Sequence, residues 1–369
     1  MPEFLHSHQF VYYTLILALS ILITLQAIPS ILHVARTRHL YDDLGHFRKQ
    51  HDHGIPRLGG VAIFVSFIIT LLLFCVTGKQ LPINYLLTAC VILFAMGVKD
   101  DLSGVNASTK FFIQFVVGAI LVIPGDIRLT SMYGVLGIYT LPYTASVIFS
   151  ILTIMLIVNA FNLIDGIDGL AATTGIIANS SFATLFIYIH QYELASVCLA
   201  MVGALIGFLR YNLTPAKIFM GDTGSLLIGL VSIVMAIQFI EVNSPANYNP
   251  ELPHIFSVPA LSIAILIGPI FDTFRVFALR ILDKKSPFHA DRNHVHHRIL
   301  RLGFNHIQTT LILASVNIIS IALALLFSGF GSTIMIIVIG VASLCFNWSI
   351  TFMLRCKERE KISARFLFV

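Results

Sequence analysis

Five aspartates stand at the ends of apolar segments in this chain of 369 residues, and a sixth, Asp272, lies inside one. An ionised side chain inside a membrane-spanning helix costs about 2.5 to 3.5 kcal/mol at the helix centre. Solvated helix ends would explain any one of these acids, but six together favour a site that holds water or a cation. The six are Asp100, Asp101, Asp165, Asp168, Asp222 and Asp272.

The segment NAFNLIDGIDGLA, which begins at Asn159, carries the densest set of polar residues. Asn159, Asn162 and Asp165 recur every three residues, so a helix would place them on one face. Amide and carboxylate oxygens are the ligands that a hard cation such as Mg²⁺ prefers. Gly166 and Gly169 would let a ligand approach the backbone closely. Asparagine capping followed by Asp-Gly turns is the alternative.

A second motif, FMGDTGSLLIG, begins at Phe219 and predicts the start of a helix, with Asp222 and Thr223 at the N-cap position. Gly221 and Gly224 permit a tight approach. A helix N-terminus favours anions. Because an aspartate already occupies this one, the motif fits a metal that bridges the carboxylate to a phosphate better than it fits direct binding of a phosphate. A plain N-cap remains the alternative.

Three histidines, His294, His296 and His297, lie within RNHVHHR in the most basic connection of the chain. Zinc is one interpretation, but no cysteine is near and the surrounding Lys and Arg would repel a cation. The pattern favours hydrogen bonding to an anionic, polyhydroxylated ligand. A solvated basic loop is the remaining alternative.

Two smaller features complete the polar inventory. Lys110, nine residues after Asp101, could reach a phosphate, or could be an ordinary lysine at a membrane interface. The segment HDHGIPRLGG, with Pro56 and Arg57 near its end, indicates a helix start.

The composition places these residues in a membrane protein, because 57% of the chain is apolar, 11% is charged and the mean hydropathy is +0.89. Disorder and an ordinary soluble core are excluded. The first apolar run is too long for a signal peptide and no small-residue cleavage site follows it, so it predicts a retained span. Five cysteines stand singly and predict neither disulfides nor a metal site.

The sequence predicts eleven helices, at about 10–34, 58–77, 83–98, 111–124, 143–161, 170–189, 194–211, 223–241, 256–281, 307–328 and 331–354.

Basic residues predict the orientation of these helices. Of the 23 Lys and Arg, 21 fall in the connections after the odd-numbered spans and in the C-terminal tail. By the positive-inside rule the N-terminus lies outside and the C-terminus in the cytosol, with the acidic site on the cytosolic face. The basic pI of about 9.0 is explained by this topology and needs no nucleic-acid partner. The stretch 124–142 on the opposite face is typical of a small hairpin, and we expect a single membrane domain over residues 1–369.

Four motifs in this order and position resemble the polyprenyl-phosphate N-acetylhexosamine-1-phosphate transferases. They are DDLSG at Asp100, NAFNLIDGIDGL at Asn159, FMGDTGSL at Phe219 and the H-x-H-H run at His294. IPRLGG and HADRNHVHHR resemble the WecA/TagO branch. The MraY branch, which uses UDP-MurNAc-pentapeptide, instead carries a TPTMGG-like segment and three consecutive histidines.

This resemblance implies an all-α fold of ten or eleven membrane helices in the bacterial cytoplasmic (inner) membrane, with a cytosolic active site that depends on Mg²⁺ or, in its place, Mn²⁺. UDP-N-acetylhexosamine and undecaprenyl phosphate would give undecaprenyl-diphosphate-N-acetylhexosamine and UMP. The resemblance is compatible with a homodimer. Carried onto this sequence, the family roles make Asn162 and Asp222 metal ligands and set Asp168 and Phe219 against uracil. The residues around the phosphates would be Asp100, Asp101, Lys110 and Asp165. The residues at the diphosphate and sugar would be His294, His296, His297 and Arg298.

Other classes of protein remain as alternatives to this transferase. A phospho-MurNAc-pentapeptide transferase would share its chemistry, and an ion-coupled transporter would also carry acids within spans. Against a transporter, the acids collect at one face and form no track through the bilayer. If the protein is a transferase, Asp100 or Asp101 could act as a base or could only orient the acceptor phosphate.

Overall fold

The computed structural model describes residues 8–40, 54–75, 81–244, 253, 255–284 and 293–366, with side chains up to residue 358. Within these residues the chain is built from thirteen α-helices, one short 3₁₀ turn and one pair of strands. The helices are α1 (Gln9–Thr37), α2 (Gly59–Phe74), α3 (Ile83–Ser103), α4 (Ala107–Val122), α5 (Tyr143–Ile164), α6 (Leu170–Tyr188), α7 (Tyr192–Asn212), α8 (Gly221–Val242), α9 (Val258–Ile265), α10 (Ile267–Leu282), α11 (Val295–Leu302), α12 (His306–Leu326) and α13 (Ser332–Phe366).

The prediction of an all-α polytopic membrane protein is confirmed. Of the described helices, eight are long and apolar enough to cross a bilayer. The bent pair α9 and α10 adds a ninth, and α2 and α4 are apolar helices of 16 residues each. Each of the eleven predicted spans overlaps one of these elements, while the number that crosses the membrane and their orientation stay predictions.

The ninth predicted span is wrong as a single helix, because the chain bends by 77° between α9 and α10. Pro269 has no amide hydrogen, and its ring would clash with the carbonyl of Ile265 in a continuous helix. In apolar surroundings the freed carbonyl groups need another donor. Asn317 of α12 supplies it, because its Nδ2 lies 3.2 Å from the oxygen of Ile265 and 3.4 Å from that of Ala264.

A two-stranded antiparallel hairpin confirms the interpretation of residues 124–142. It pairs β1 (Ser131–Val135) with β2 (Ile138–Thr140). Glu241, near the C-terminal end of α8, fixes the hairpin: its carboxylate accepts hydrogen bonds from the backbone nitrogen and the hydroxyl of Thr130, at 2.8 and 2.7 Å. The hairpin therefore holds the end of α8 opposite to Asp222.

Helix α8 lies at the centre of the described fold and packs against α2, α3, α5 and α6. Nearly every side chain from Thr223 to Phe239 is buried. A helix that is apolar on all faces can exist only where other helices or lipid surround it. The polar N-terminus of α8 is thereby held at one end of an apolar bundle.

Two glycines allow the first turn of α8 to touch its neighbours backbone to backbone. A Cβ atom on Gly60 of α2 would lie 2.2 Å from the nitrogen of Gly224, and one on Gly97 of α3 would lie 2.5 Å from the Cα atom of Thr223. Small residues of this kind are what close helix packing in membranes requires. The start of α8 is therefore seated between α2 and α3.

The predicted orientation can be tested by labelling single cysteines in a background where the exposed Cys345 and Cys356 are serine. We expect a membrane-impermeant maleimide to label Lys284→Cys only from the cytosolic side, because 21 of 23 basic residues fall on that side. Leu136→Cys, on the 81% exposed side chain at the hairpin turn, should be labelled only from outside.

Labelling of the two positions from the same side, or with the sides exchanged, would refute the topology. The predicted cytosolic stretches were 36–57 and 282–305. Within them, residues 41–53 and 285–292 lie outside the described residues, so the test uses Lys284, which the structure describes.

Candidate active site

Asp101 of α3 caps the N-terminus of α8. Its carboxylate accepts hydrogen bonds from the backbone nitrogens of Asp222 and Thr223, at 2.7 and 3.1 Å, and from the Thr223 hydroxyl at 2.5 Å. The prediction that Asp222 and Thr223 occupy the N-cap position is wrong. The helix begins at Gly221, so both residues lie in its first turn and offer unpaired N–H groups to an acid from another helix.

The chain enters α8 through backbone pairing with the segment before α2. The nitrogen of Phe219 donates to the oxygen of Pro56, and the nitrogen of Gly59 donates to the oxygen of Phe219, both at 2.9 Å. Gly221 has a φ of +72°, and a Cβ there would lie 2.4 Å from the oxygen of Arg57. This pairing brings Arg57 and Phe219 to the same place at the start of α8.

Lys110 of α4 joins two of the aspartates. Its Nζ donates to Oδ2 of Asp222 at 2.8 Å and also to Asp100. The other carboxylate oxygen of Asp100 accepts from the backbone nitrogen of Val105 at 2.6 Å. The lysine is therefore part of an ion-paired cluster at the helix ends, and its position differs from that of an ordinary lysine at a membrane surface.

The asparagines at the end of α5 divide between two tasks. Nδ2 of Asn162 donates to the Ser225 hydroxyl at 3.1 Å, and the side chain is within hydrogen-bonding reach of Asp222. Asn159 instead forms an amide pair with Gln114 of α4, at 2.5 and 3.2 Å. The structure thus brings Asn162 to the aspartates, whereas Asn159 joins α5 to α4.

A polar pocket of about 360 Å³ opens at the ends of these helices. Three aspartates line it, and Arg57 is the one Lys or Arg among its described lining residues. The full lining is Arg57, Asp165, Gly166, Ile167, Asp168, Asn212, Phe219, Gly221, Asp222 and His306.

The electrostatics of the pocket favour the entry of a cation. Burial, together with the negative charges of Asp222 and Asp101, raises the pKa of the Asp165 carboxyl to about 7, while the charge of Arg57 opposes this change. Burial is the largest of these causes, and the neighbouring aspartates add repulsion between like charges. A divalent cation would relieve this repulsion.

Asp168 lies at the other side of the pocket with a polar neighbour that the sequence reasoning missed. The Thr214 hydroxyl donates to its Oδ2 at 3.0 Å, and Nδ1 of His306 lies 3.3 Å from the same oxygen. His306 begins α12 directly after Asn305, which forms a capping box with Gln308. Such a box is readable in the sequence, and it could have located a helix start beside the site.

The histidines lie on or beside α11, a short helix that the sequence analysis did not predict. The His296 ring packs on the aspartate loop: a Cβ on Gly166 would lie 2.3 Å from its Nε2. Burial, and next the neighbouring imidazole of His297, lower the pKa of His296 to about 3, so the ring is neutral. The His294 and His296 rings are stacked with centroids 5.6 Å apart, and the His297 ring lies tilted by 51° against His296 at 4.3 Å.

Arg298 is not brought to the pocket by any described contact. Its guanidinium donates to Oδ1 of Asn347 and to the Thr351 hydroxyl, both on α13, the latter at 2.5 Å. These contacts use the fork of the arginine to brace α11 against α13. The Asp291 and Arg292 that precede the histidines lie outside the described residues.

The structure therefore divides most of the predicted residues into those that line one pocket and those that contact the lining residues. Asp165, Asp168, Phe219 and Asp222 line the cavity itself. A surrounding layer reaches it through Asp222 or through the aspartate loop, and comprises Asp100, Asp101, Lys110, Asn162 and His296. Of the described residues, no three His, Cys, Asp or Glu side chains are grouped as a metal site of their own.

The fold and site define a class: a polytopic α-helical membrane protein whose acidic pocket lies at the helix ends beside a histidine-bearing helix. Residues 83–240 match the family model described as glycosyl transferase family 4. The chain is 32% identical to the probable undecaprenyl-phosphate N-acetylglucosaminyl 1-phosphate transferase of Bacillus subtilis (strain 168), over 74% of this chain and 73% of that protein.

Two further relatives agree. The undecaprenyl-phosphate alpha-N-acetylglucosaminyl 1-phosphate transferase of Yersinia pestis is 30% identical, over 72% of this chain and 71% of its own length. The decaprenyl-phosphate N-acetylglucosaminephosphotransferase of Mycobacterium tuberculosis (strain ATCC 25618 / H37Rv) is 31% identical, over 72% and 70%. The chain therefore belongs to glycosyl transferase family 4, in the branch of polyprenyl-phosphate N-acetylhexosamine-1-phosphate transferases that its motifs resemble.

Proposed function

We propose that this protein transfers N-acetylglucosamine-1-phosphate from UDP-N-acetylglucosamine to undecaprenyl phosphate in the bacterial cytoplasmic membrane. The products are undecaprenyl-diphosphate-N-acetylglucosamine, a first lipid intermediate of a cell-envelope polysaccharide, and UMP. The relatives from Bacillus subtilis and Yersinia pestis carry this activity in their names. The observation that carries the proposal is the acidic pocket formed by Asp165, Asp168 and Asp222 beside the histidine helix.

The residues of the pocket fit a bound Mg²⁺, with Mn²⁺ as a substitute. Mg²⁺ is usually held by one or two carboxylates together with substrate phosphates and water, so it needs few protein ligands. Asp222 and Asn162 would hold it. Its charge would offset the repulsion that Asp222 and Asp101 exert on Asp165, which adds to burial in raising the pKa of that carboxyl. When bound, the metal supplies positive charge to the diphosphate of the donor.

In the reaction, an oxygen of the lipid phosphate forms a bond to the β-phosphorus of the donor. The bond between that phosphorus and the bridging oxygen breaks, and UMP leaves with that oxygen. A phosphate monoester has a second pKa near 6, so the acceptor is largely a dianion at neutral pH and no strong base is required. Positioning and neutralisation of charge are then the main tasks of the protein.

We assign different tasks to the two neighbouring aspartates on the basis of their contacts. Asp101 uses both carboxylate oxygens to cap α8, and it therefore positions Asp222. Asp100 is paired with Lys110 and with the nitrogen of Val105. We assign Asp100 and Lys110 to the orientation of the acceptor phosphate, since a carboxylate already paired with a lysine is a poor base.

The remaining residues act on the donor. Asp168 and Phe219 line the part of the pocket that we assign to uracil, where Asp168 accepts hydrogen bonds and the Phe219 ring offers a stacking face. His294 and His297 stand on the histidine side, where their ring nitrogens would form hydrogen bonds with the diphosphate and the sugar.

The test is a transfer assay with purified protein in lipid vesicles, labelled UDP-N-acetylglucosamine and undecaprenyl phosphate. We expect UMP and labelled lipid in equal amounts, with loss of both on addition of EDTA and recovery with Mg²⁺ or Mn²⁺. UDP-N-acetylgalactosamine and UDP-MurNAc-pentapeptide serve as competing donors. Uptake of label into the vesicle lumen without UMP would indicate a transporter, and transfer from only the pentapeptide donor would indicate the MraY activity; either result refutes the proposal.

A further inference from the structure

Asp272 of α10 is a buried acid that has no part in the chemistry described above. It is 5% exposed and lies six residues beyond Leu266, where the chain bends. Its Oδ2 lies 2.9 Å from Nδ1 of His294, and its Oδ1 accepts from the backbone nitrogen of Val295 at 3.0 Å. One carboxylate therefore binds both the ring of His294 and the first N–H group of α11.

Arg275, one turn further along α10, completes this anchor. Its Nη2 donates to Oδ1 of Asp272 at 3.2 Å and also to the backbone oxygen of Asn293. The acid and the arginine thus hold the chain on both sides of His294. A carboxylate at a helix N-terminus is also favoured by the dipole of α11.

The pairing decides which nitrogen of His294 carries a proton. A carboxylate can only accept a hydrogen bond, so Nδ1 of His294 must be the protonated nitrogen in this contact. Nε2 is left for another partner, and the ring cannot rotate without losing the contact. The ring lies nearly parallel to that of His296, at 13°, and His296 rests on Gly166 in the aspartate loop. The orientation set by Asp272 is thereby passed to the edge of the pocket.

We infer that Asp272 is a positioning residue of the transferase: through the Nδ1 atom of His294 it sets the orientation of the histidine helix toward the acidic pocket. This inference rests on the proposed function, because it assigns the histidines to the donor. In this role Asp272 acts on the reaction through His294.

An isosteric substitution separates this role from a merely structural one. In Asp272→Asn, the amide oxygen can still accept from Val295 and from Arg275, so the anchor of α11 is retained. The amide nitrogen can only donate, and the protonated Nδ1 of His294 loses its acceptor. The proton of a neutral His294 ring is then expected to move to Nε2, with the fold intact.

The experiment is a double-mutant cycle on kcat and KM in the transfer assay, with Asp272→Asn, His294→Ala and the double variant. We expect each single variant to lose about 10- to 100-fold in kcat, the range found when the group that orients a metal-bound histidine is removed. The KM for UDP-N-acetylglucosamine should change much less. The double variant should be no slower than the slower single variant, because the two residues act as one unit.

Thr273→Val is the matched control. Thr273 is the next residue, is fully buried, and its hydroxyl has no hydrogen-bond partner among the described residues. Valine has the same shape, so this variant should keep its activity. If the losses in the Asp272→Asn and His294→Ala variants multiply in the double variant, or if Thr273→Val loses as much as Asp272→Asn, the positioning role is refuted.

A second measurement observes the wild-type protein directly. In ¹⁵N-histidine spectra of the wild-type protein at neutral pH, Nδ1 of His294 should be protonated, with His294→Ala used to assign the signal. A signal showing a bare Nδ1 would overturn the inference. A wild-type protein without transferase activity would instead refute the proposed function, so the two failures are distinguishable.

Discussion

The Asp222→Asn protein is expected to lose at least about a hundredfold in turnover while its thermal midpoint shifts by only about a degree or two. Under the proposed function, this carboxylate supplies charge to the metal at the diphosphate. Metal clamps on a transferring phosphoryl group contribute several kcal/mol to transition-state stabilisation, and each 1.36 kcal/mol corresponds to about tenfold in rate. Removal of one charge from this cluster is therefore costly for the reaction.

The same substitution should hardly affect folding. The N-terminus of α8 is capped by Asp101, so Asp222 has no capping duty to lose. Asparagine keeps the size of the side chain, and Lys110 keeps its pair with Asp100. The measurements are kcat at saturating Mg²⁺, the Mg²⁺ concentration for half-maximal rate, and the thermal midpoint.

Asp126→Asn is the control for that experiment. Asp126 is an exposed aspartate paired with Arg128 on the hairpin side, so the same chemical change should leave the rate unaltered. An Asp222→Asn protein with near-normal turnover and an unchanged Mg²⁺ requirement would contradict the metal assignment.

The Gly60→Ala protein is expected to be both unstable and inactive. The new Cβ would lie 2.2 Å from the nitrogen of Gly224 and 2.7 Å from its Cα atom, so backbone must move against backbone. Overpacking costs about 1 to 3 kcal/mol where side chains can adjust, and a rigid backbone contact belongs at or above the upper end. By the scaling for large domains, this lowers the thermal midpoint by about 5 °C or more.

Loss of activity in Gly60→Ala follows from the position of Asp222 in the same turn as Gly224. A shift of about 1 Å in a reacting group can cost about a hundredfold in rate. Gly340→Ala is the control, because among the described residues no atom beyond the glycine's own stretch of helix lies within 4 Å of a Cβ at that position. A Gly60→Ala protein with the melting point and turnover of Gly340→Ala would show that α2 and α8 are not in this close contact.

The helices and the acidic character of the site could be predicted because both depend on local sequence. Long apolar runs form helices in a membrane whatever their partners are, and the Asp-rich motifs stand at the ends of those runs. The bend at Pro269 also had a local signal, since Gly268 and Pro269 interrupt the run. The apolar composition on both sides of this pair concealed the break.

The pairing of the polar residues could not be predicted, because it joins residues far apart in the chain. Asp101 and Asp222 are 121 residues apart, and nothing in either motif shows that the first acid caps the helix of the second. The same holds for Arg298, whose motif indicates a substrate contact although its described partners lie on α13. His306 lies beside Asp168 only because α12 docks there, 138 positions further along the chain.

The all-round apolar surface of α8 has a consequence for biogenesis. A newly inserted helix of this kind exposes only apolar side chains, which lipid solvates as well as protein does. It is therefore stable in the bilayer as a single span before it packs against its neighbours. When α8 emerges from the ribosome, Asp101 and Gly60 have already been synthesised. The N-terminus of α8 can therefore pack against both residues as soon as it is inserted. The helix α11 is synthesised afterwards. We therefore expect the aspartate half of the site to assemble first and the histidine half to close it, so a nascent chain that ends before α11 already carries the three aspartates of the pocket but lacks His306.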